Sequence, residues 1–99
     1  MRNFEQNFID WAHERGIYEH SNRQAQTLKA VSEMGELADA VLKGERDKVI
    51  DGIGDIIVCL THVAFMSGTD LTECMARAWR DIEHRKGRMV AGGIFVKEE

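Results

Sequence analysis

Two stretches of helical periodicity joined by a single glycine turn constrain this chain more than any other feature. Leu28, Val31, Gly35, Ala38 and Leu42 recur on one stripe, with Gly44 as a stop. Val49, Ile50, Ile53, Ile57, Leu60 and Ala64 repeat the pattern as far as Ser67-Gly68. Steps of three and four place each set on one helix face. Each stretch is about twenty residues, close to 30 Å long as a helix. A connection as short as the one at Gly44 makes the two helices antiparallel neighbours. The chain has no proline, whereas a sandwich or barrel needs many turns that normally use it. The fold class expected is all-α.

Further helices flank this hairpin. Phe4, Phe8, Trp11 and Ala12 stand at helical spacing before Gly16, and SNRQ at Ser21–Gln24 has the form of a capping box for the second helix. DLTE at Asp70–Glu73 opens a fourth helix that runs through Met75, Ala78, Trp79 and Ile82 to Gly87. The expected architecture is four helices, with the second, third and fourth packed as antiparallel neighbours. The tail differs: apolar residues flank Gly92-Gly93 in RMVAGGIFVKEE, which reads as a short hairpin or extended arm. Ninety-nine residues form one domain over 1–99, too small to bury every apolar face alone, so a homodimer or homotetramer is expected. A formal charge of −4 argues against a nucleic-acid backbone as main partner. Cys59 and Cys74 sit in apolar helical patterns as buried free thiols of a reducing compartment. No apolar run approaches a membrane span, so a cytoplasmic location without a membrane partner is expected.

The chemistry rests on carboxylates in costly places. In IDGIGDIIVCL, from Ile50 to Leu60, Asp51 and Asp55 share one face at i and i+4 of a largely apolar helix. Burying an unpartnered carboxylate costs several kcal/mol, and Asp55 lies too far along to gain from the helix dipole. Gly52 and Gly54 each cost about 1 kcal/mol relative to alanine inside a helix. On the second helix, Glu33 and Glu36 stand at i and i+3. They are about as far from the Gly44 turn as Asp51 and Asp55, so the four converge in an antiparallel hairpin, with Gly35 and Gly54 giving clearance. Four converging negative charges need cations among them. An all-oxygen donor set points to Mg²⁺ or Mn²⁺ rather than zinc. The plainer alternative is two solvated faces, with Lys29 and Glu33 as an i,i+4 ion pair.

EMGELADAV at Glu33–Val41, followed by DGIGDIIVCL at Asp51–Leu60, resembles the MazG-like all-α nucleoside triphosphate pyrophosphohydrolases, which carry EExxE on one helix and ExxD on the next. WAHERGI (Trp11–Ile17) and RKGRMVAGGIFVKEE (Arg85–Glu99) extend the resemblance toward the bacteriophage members, which would place the protein in a host cytoplasm. Glu33 and Glu36 match the second and third glutamates of the first motif, and Asp55 the final aspartate of the second. Ser32 stands where the first glutamate is usual and Gly52 where ExxD has its glutamate, and Asp51 takes over that ligand role. The resemblance implies Mg²⁺-dependent hydrolysis of an NTP or dNTP to the monophosphate and pyrophosphate, with Glu33 or Glu36 as the base. A dUTPase, dCTPase or phosphoribosyl-ATP pyrophosphohydrolase is a narrower form of the same reading.

Lys29, Arg85 and Lys86 are the candidate phosphate contacts, Lys29 from within the acidic helix and the other two from the end of the fourth. His62, about 10 Å along the helix from Asp55, is too far to share a metal and is expected in the core or at the substrate's edge. Trp11 and Trp79 are expected as core or interface anchors. A rival reading is a helical interaction module that keeps the family shape without activity. A di-iron bundle is disfavoured because the acidic pairs lack Glu-x-x-His spacing.

Overall fold

The computed structural model describes residues 3–98. The chain runs α1 (Phe4–Glu14), α2 (Ile17–His20), α3 (Arg23–Lys43), α4 (Arg46–Met66), α5 (Leu71–Ile82), β1 (Gly87–Val90) and β2 (Ile94–Lys97). The all-α reading holds, with one short helix more than expected. Gly16, at φ +71°, ends α1, and its carbonyl accepts the His20 N–H at 3.0 Å, so the next residues wind one further turn.

The α3–α4 hairpin is the frame. Gly44 adopts φ +68° and its backbone N–H closes on the carbonyls of Ala40 and Val41, which ends α3 in a left-handed cap that favours glycine. The start of α3 differs by one residue from expectation. Asn22, not Ser21, is the N-cap, its Oδ1 accepting the Ala25 N–H at 2.7 Å, while Ser21 Oγ accepts from Gln26 Nε2. Asn22 offers the same reach to the third helical residue and stands one position nearer the first turn. At α5 the expected cap is present: Asp70 Oδ1 accepts the Glu73 N–H at 2.7 Å.

Close approach of the two long helices occurs at Gly52, which is buried. A Cβ there would lie 3.4 Å from Leu37 Cβ and 3.7 Å from Leu37 Cα, whereas one at Gly35 or Gly54 would meet nothing within 4 Å. The clearance expected of Gly35 and Gly54 is therefore supplied by Gly52. Further along α4, Cys59, Thr61, His62 and Ala64 are buried, and Thr61 Oγ1 donates to the Ile57 carbonyl at 2.8 Å. α1 lies across this half of α4, with Ala12 fully buried.

α5 departs from the expected bundle. It makes hardly any contact with α4 and is fastened mainly at its start, where Glu5 of α1 accepts the Leu71 N–H at 2.7 Å. It ends at Ile82, so Arg85 and Lys86 lie in the connection to β1. The tail forms the antiparallel hairpin, with Arg88 opposite Val96 and Val90 opposite Ile94. Met75, Trp79 and Ile82 stay exposed, as do Ile50, Ile53 and Ile57, which the sequence assigns to a buried helix. The radius of gyration, 16.1 Å, exceeds the roughly 13 Å of a closed globule this long. Cys59 is buried as expected but Cys74 is exposed. By length and composition alone, α4 is long and apolar enough to cross a membrane, which departs from the expectation that no apolar run approaches a span. Its first half nonetheless carries Arg46, Asp47, Lys48, Asp51 and Asp55, and it packs against α3 and α1.

The Gly52–Leu37 contact gives a direct stability test. Gly52→Ala adds a methyl at ordinary contact distance and should be neutral or stabilise by up to about 1 kcal/mol through helix propensity. Gly52→Ile should cost about 1–3 kcal/mol by overpacking α3. Urea denaturation midpoints measure both, and equal midpoints for the two variants would refute the close approach.

Candidate active site

The hairpin carries its acidic residues to one side. Glu33 and Glu36 of α3 face Asp51 and Asp55 of α4 across a narrow cleft of about 150 Å³, completed by Leu37, Gly52 and Lys48. Glu36, Asp51 and Asp55 are exposed and Glu33 is half-buried. The cleft is thus an open groove, where the apolar pattern of α4 had suggested buried carboxylates. Gly52, at the position where the resemblance expects a glutamate, is turned into the helix contact with Leu37, and Asp51 lines the cleft instead.

These carboxylates act on one another. Desolvation, then the charges of Glu36 and Asp55 together with a hydrogen bond to Glu36, push the Glu33 carboxyl above the usual range, and Lys29 opposes this. The cleft's own cation is already engaged: Lys48 Nζ lies 2.8 Å from Glu45, which holds the ammonium above its ordinary value. Among the described residues, no three Asp, Glu, His or Cys side chains are gathered tightly enough to hold a metal ion as they stand. The donor chemistry fits a hard divalent cation: carboxylate oxygens alone, from two helices.

A second, larger cavity of about 520 Å³ adjoins the first, lined by Asn7, Phe8 and Trp11 of α1, Lys29 and Glu33 of α3, and Asp55, Val58 and Cys59 of α4. Glu33 and Asp55 line both spaces, so they form the wall between a carboxylate cleft and an amphipathic pocket. Lys29 is the cation on the pocket side. Trp11 carries the Arg15 guanidinium 4.4 Å from its ring centre, and Arg15 also donates to the Trp11 carbonyl. Burial pushes the Cys59 thiol up, which keeps it protonated.

The structure brings together Lys29, Glu33, Glu36, Asp51 and Asp55 around these adjoining spaces. It does not bring Arg85 or Lys86, which line neither. Early termination of α5 and its departure from α4 carry that basic segment away. Ser32 is exposed and also lines neither space. His62 is buried against Tyr18, away from the carboxylates. Sequence reasoning missed Asn7, Phe8, Val58 and Lys48. The signal available for the first two was their place in the helical stripe of α1, which a core helix shares.

Comparison with known proteins bears on the family of the chain. Residues 22–90, spanning α3, α4, α5 and β1, match the MazG nucleotide pyrophosphohydrolase domain. Over 64 residues, 65% of this chain, the sequence is 36% identical to an uncharacterized 18.2 kDa protein from the rep-hol intergenic region of Haemophilus phage HP1 (strain HP1c1). The aligned part spans 39% of that phage protein's length. No solved structure matches the chain. The chain belongs to the MazG nucleotide pyrophosphohydrolase family, which is in general dependent on a divalent metal.

Proposed function

We propose that the domain over residues 1–99 is a Mg²⁺-dependent nucleoside triphosphate pyrophosphohydrolase, with Mn²⁺ as an alternative ion. The observation that carries this reading is the shared wall. Glu33 and Asp55 border both the carboxylate cleft and the amphipathic pocket, so one ligand can present its phosphates to the first and its nucleoside to the second. Glu33, Glu36, Asp51 and Asp55 would hold the cation, which when bound neutralises the triphosphate and makes the attacking water more acidic.

The chain's own groups do the rest. Lys29 meets a phosphate oxygen from the pocket side. Trp11 and Phe8 offer apolar surface to the base, and Val58 and Cys59 close the floor behind it. Water attacks the α-phosphorus, Glu33 or Glu36 takes its proton, and the bond to the bridging oxygen breaks. The products are the monophosphate and pyrophosphate. Hydrolysis takes place in the cytoplasm, that of a host cell for a phage-encoded protein.

A second copy of the chain completes the fold as a homodimer or homotetramer. Met75, Trp79 and Ile82 on α5 and Ile50, Ile53 and Ile57 on α4 are large apolar side chains left exposed in one chain, and contiguous apolar surface of this kind marks interaction sites. Light scattering should give a mass at least twice that of one 11.3 kDa chain. Trp79→Asp together with Ile53→Asp should return it to one, and a monomeric parent protein would end this part of the reading.

Activity is tested with a panel of NTPs and dNTPs plus Mg²⁺, scoring pyrophosphate against orthophosphate. Pyrophosphate release should fall by about 10²-fold or more in Glu36→Gln and in Asp55→Asn. Orthophosphate alone would mean that a different bond is cleaved. No release with cation binding intact would favour the interaction-module reading, which the Ser32 and Gly52 departures from the family pattern support. Cation binding has its own pH signature. The raised Glu33 carboxyl must lose its proton to ligate, so Mg²⁺ affinity by calorimetry should weaken as pH falls toward that value. At pH above it the crowded carboxylates oppose folding, and Mg²⁺ should raise the melting temperature.

A further inference from the structure

Four rings sit where α1, α2 and α4 meet, and the proposed reaction uses none of them. His62 is 2% exposed, and its Nδ1 lies 2.9 Å from Tyr18 Oη. Tyr18 stacks on Phe65 with centres 4.3 Å apart, and His13 stands edge-on to both at 4.9 and 5.1 Å. This cluster, buried Ala12 and the Glu5 contact to Leu71 are what fasten α1 to the body. α1 in turn supplies Asn7, Phe8 and Trp11 to the larger cavity. Its chain connection to α3 runs through the single turn of α2.

We propose that the Tyr18–His62 pair, a half-buried phenol on a buried imidazole, is a latch that seats α1 over the cavity, and that a proton on His62 releases it. With the imidazole neutral, Nδ1 and the Tyr18 hydroxyl share a hydrogen bond at 2.9 Å, and no buried polar side-chain atom is left unpaired among the described residues. Protonation would bury a charge beside an aromatic cluster. The groups that face it are Tyr18 from α2, His13 of α1 across the Tyr18 ring, and the positive Lys29 of α3. No carboxylate is paired with it among the described residues, so the imidazolium gains no compensation there. Burial first, and then Lys29, hold His62 below its ordinary value, and burial keeps the Tyr18 phenol protonated. Once α1 lifts, a solvated His62 titrates near about 6.5. Between the two values, opening takes up one proton. Opening is therefore suppressed above about pH 6.5 and favoured by at most about tenfold per pH unit below it. His62 and Tyr18 are positioning residues: they touch no substrate and act through α1. Their consequence for turnover rests on the nucleotide reading of the cavity, whereas the latch itself does not.

Amide hydrogen exchange on the whole protein between pH 7.5 and 5, corrected for the intrinsic pH dependence of exchange, tests this. Peptides covering residues 4–20 should lose protection progressively below about pH 6.5, by at most about tenfold per pH unit, while the α3–α4 hairpin stays the more protected. That slope should vanish in His62→Gln and persist in His13→Gln. Tyr18→Phe keeps the ring stack and removes only the hydroxyl, so it should open residues 4–20 at pH 7.5 and retain the slope. It also carries the test should His62→Gln not fold. A slope that survives in His62→Gln, residues 4–20 exchanging only together with the hairpin, or Tyr18→Phe matching the parent would each overturn the latch. Given nucleotide hydrolysis, Tyr18→Phe should raise KM with kcat nearly unchanged. The exchange result stands without any turnover, so failure of the latch and failure of the enzymatic reading are separable.

Discussion

The contact between Gly52 and Leu37 sets the spacing on which the rest of the molecule depends. Without a side chain at Gly52, α4 lies close on α3, and Asp51 and Asp55 come opposite Glu33 and Glu36. A residue larger than alanine there would press on Leu37 and force the helices apart. Where the family pattern places a carboxylate, this chain has helix packing, and the neighbouring aspartate lines the groove.

A second layer is built on that frame by α1. Ala12 and the rings of His13, Tyr18, His62 and Phe65 hold it across α4. From there its outer turns provide the aromatic wall of the larger cavity. Electrostatics and packing meet at Glu33 and Asp55, which belong to both spaces. Crowded negative charge on one side and apolar surface on the other suit an amphipathic, polyanionic ligand that arrives with a cation.

The outward parts follow a different rule. α5 and the hairpin keep most of their apolar residues exposed, and one chain is correspondingly extended. The amphipathic pattern of α5 gives a face to bury but not an address. Its sequence therefore looks the same whether the partner is α4 or a second copy, and reading it as a neighbour of α4 was an error of address. Arg85 and Lys86 moved with it, which is why their place near the acidic helices was not realised.

The sequence by itself determined the long helical hairpin, its Gly44 turn, the non-helical character of the tail and the four carboxylates on facing stripes. These follow from local periodicity, capping and turn chemistry, which operate within a few residues. Only the tertiary structure decided that Gly52 makes the close approach, that α1 lines a pocket, and that Tyr18 meets His62 across 44 positions of chain. Those outcomes depend on which faces meet, and a face carries no record of its partner until packing selects one.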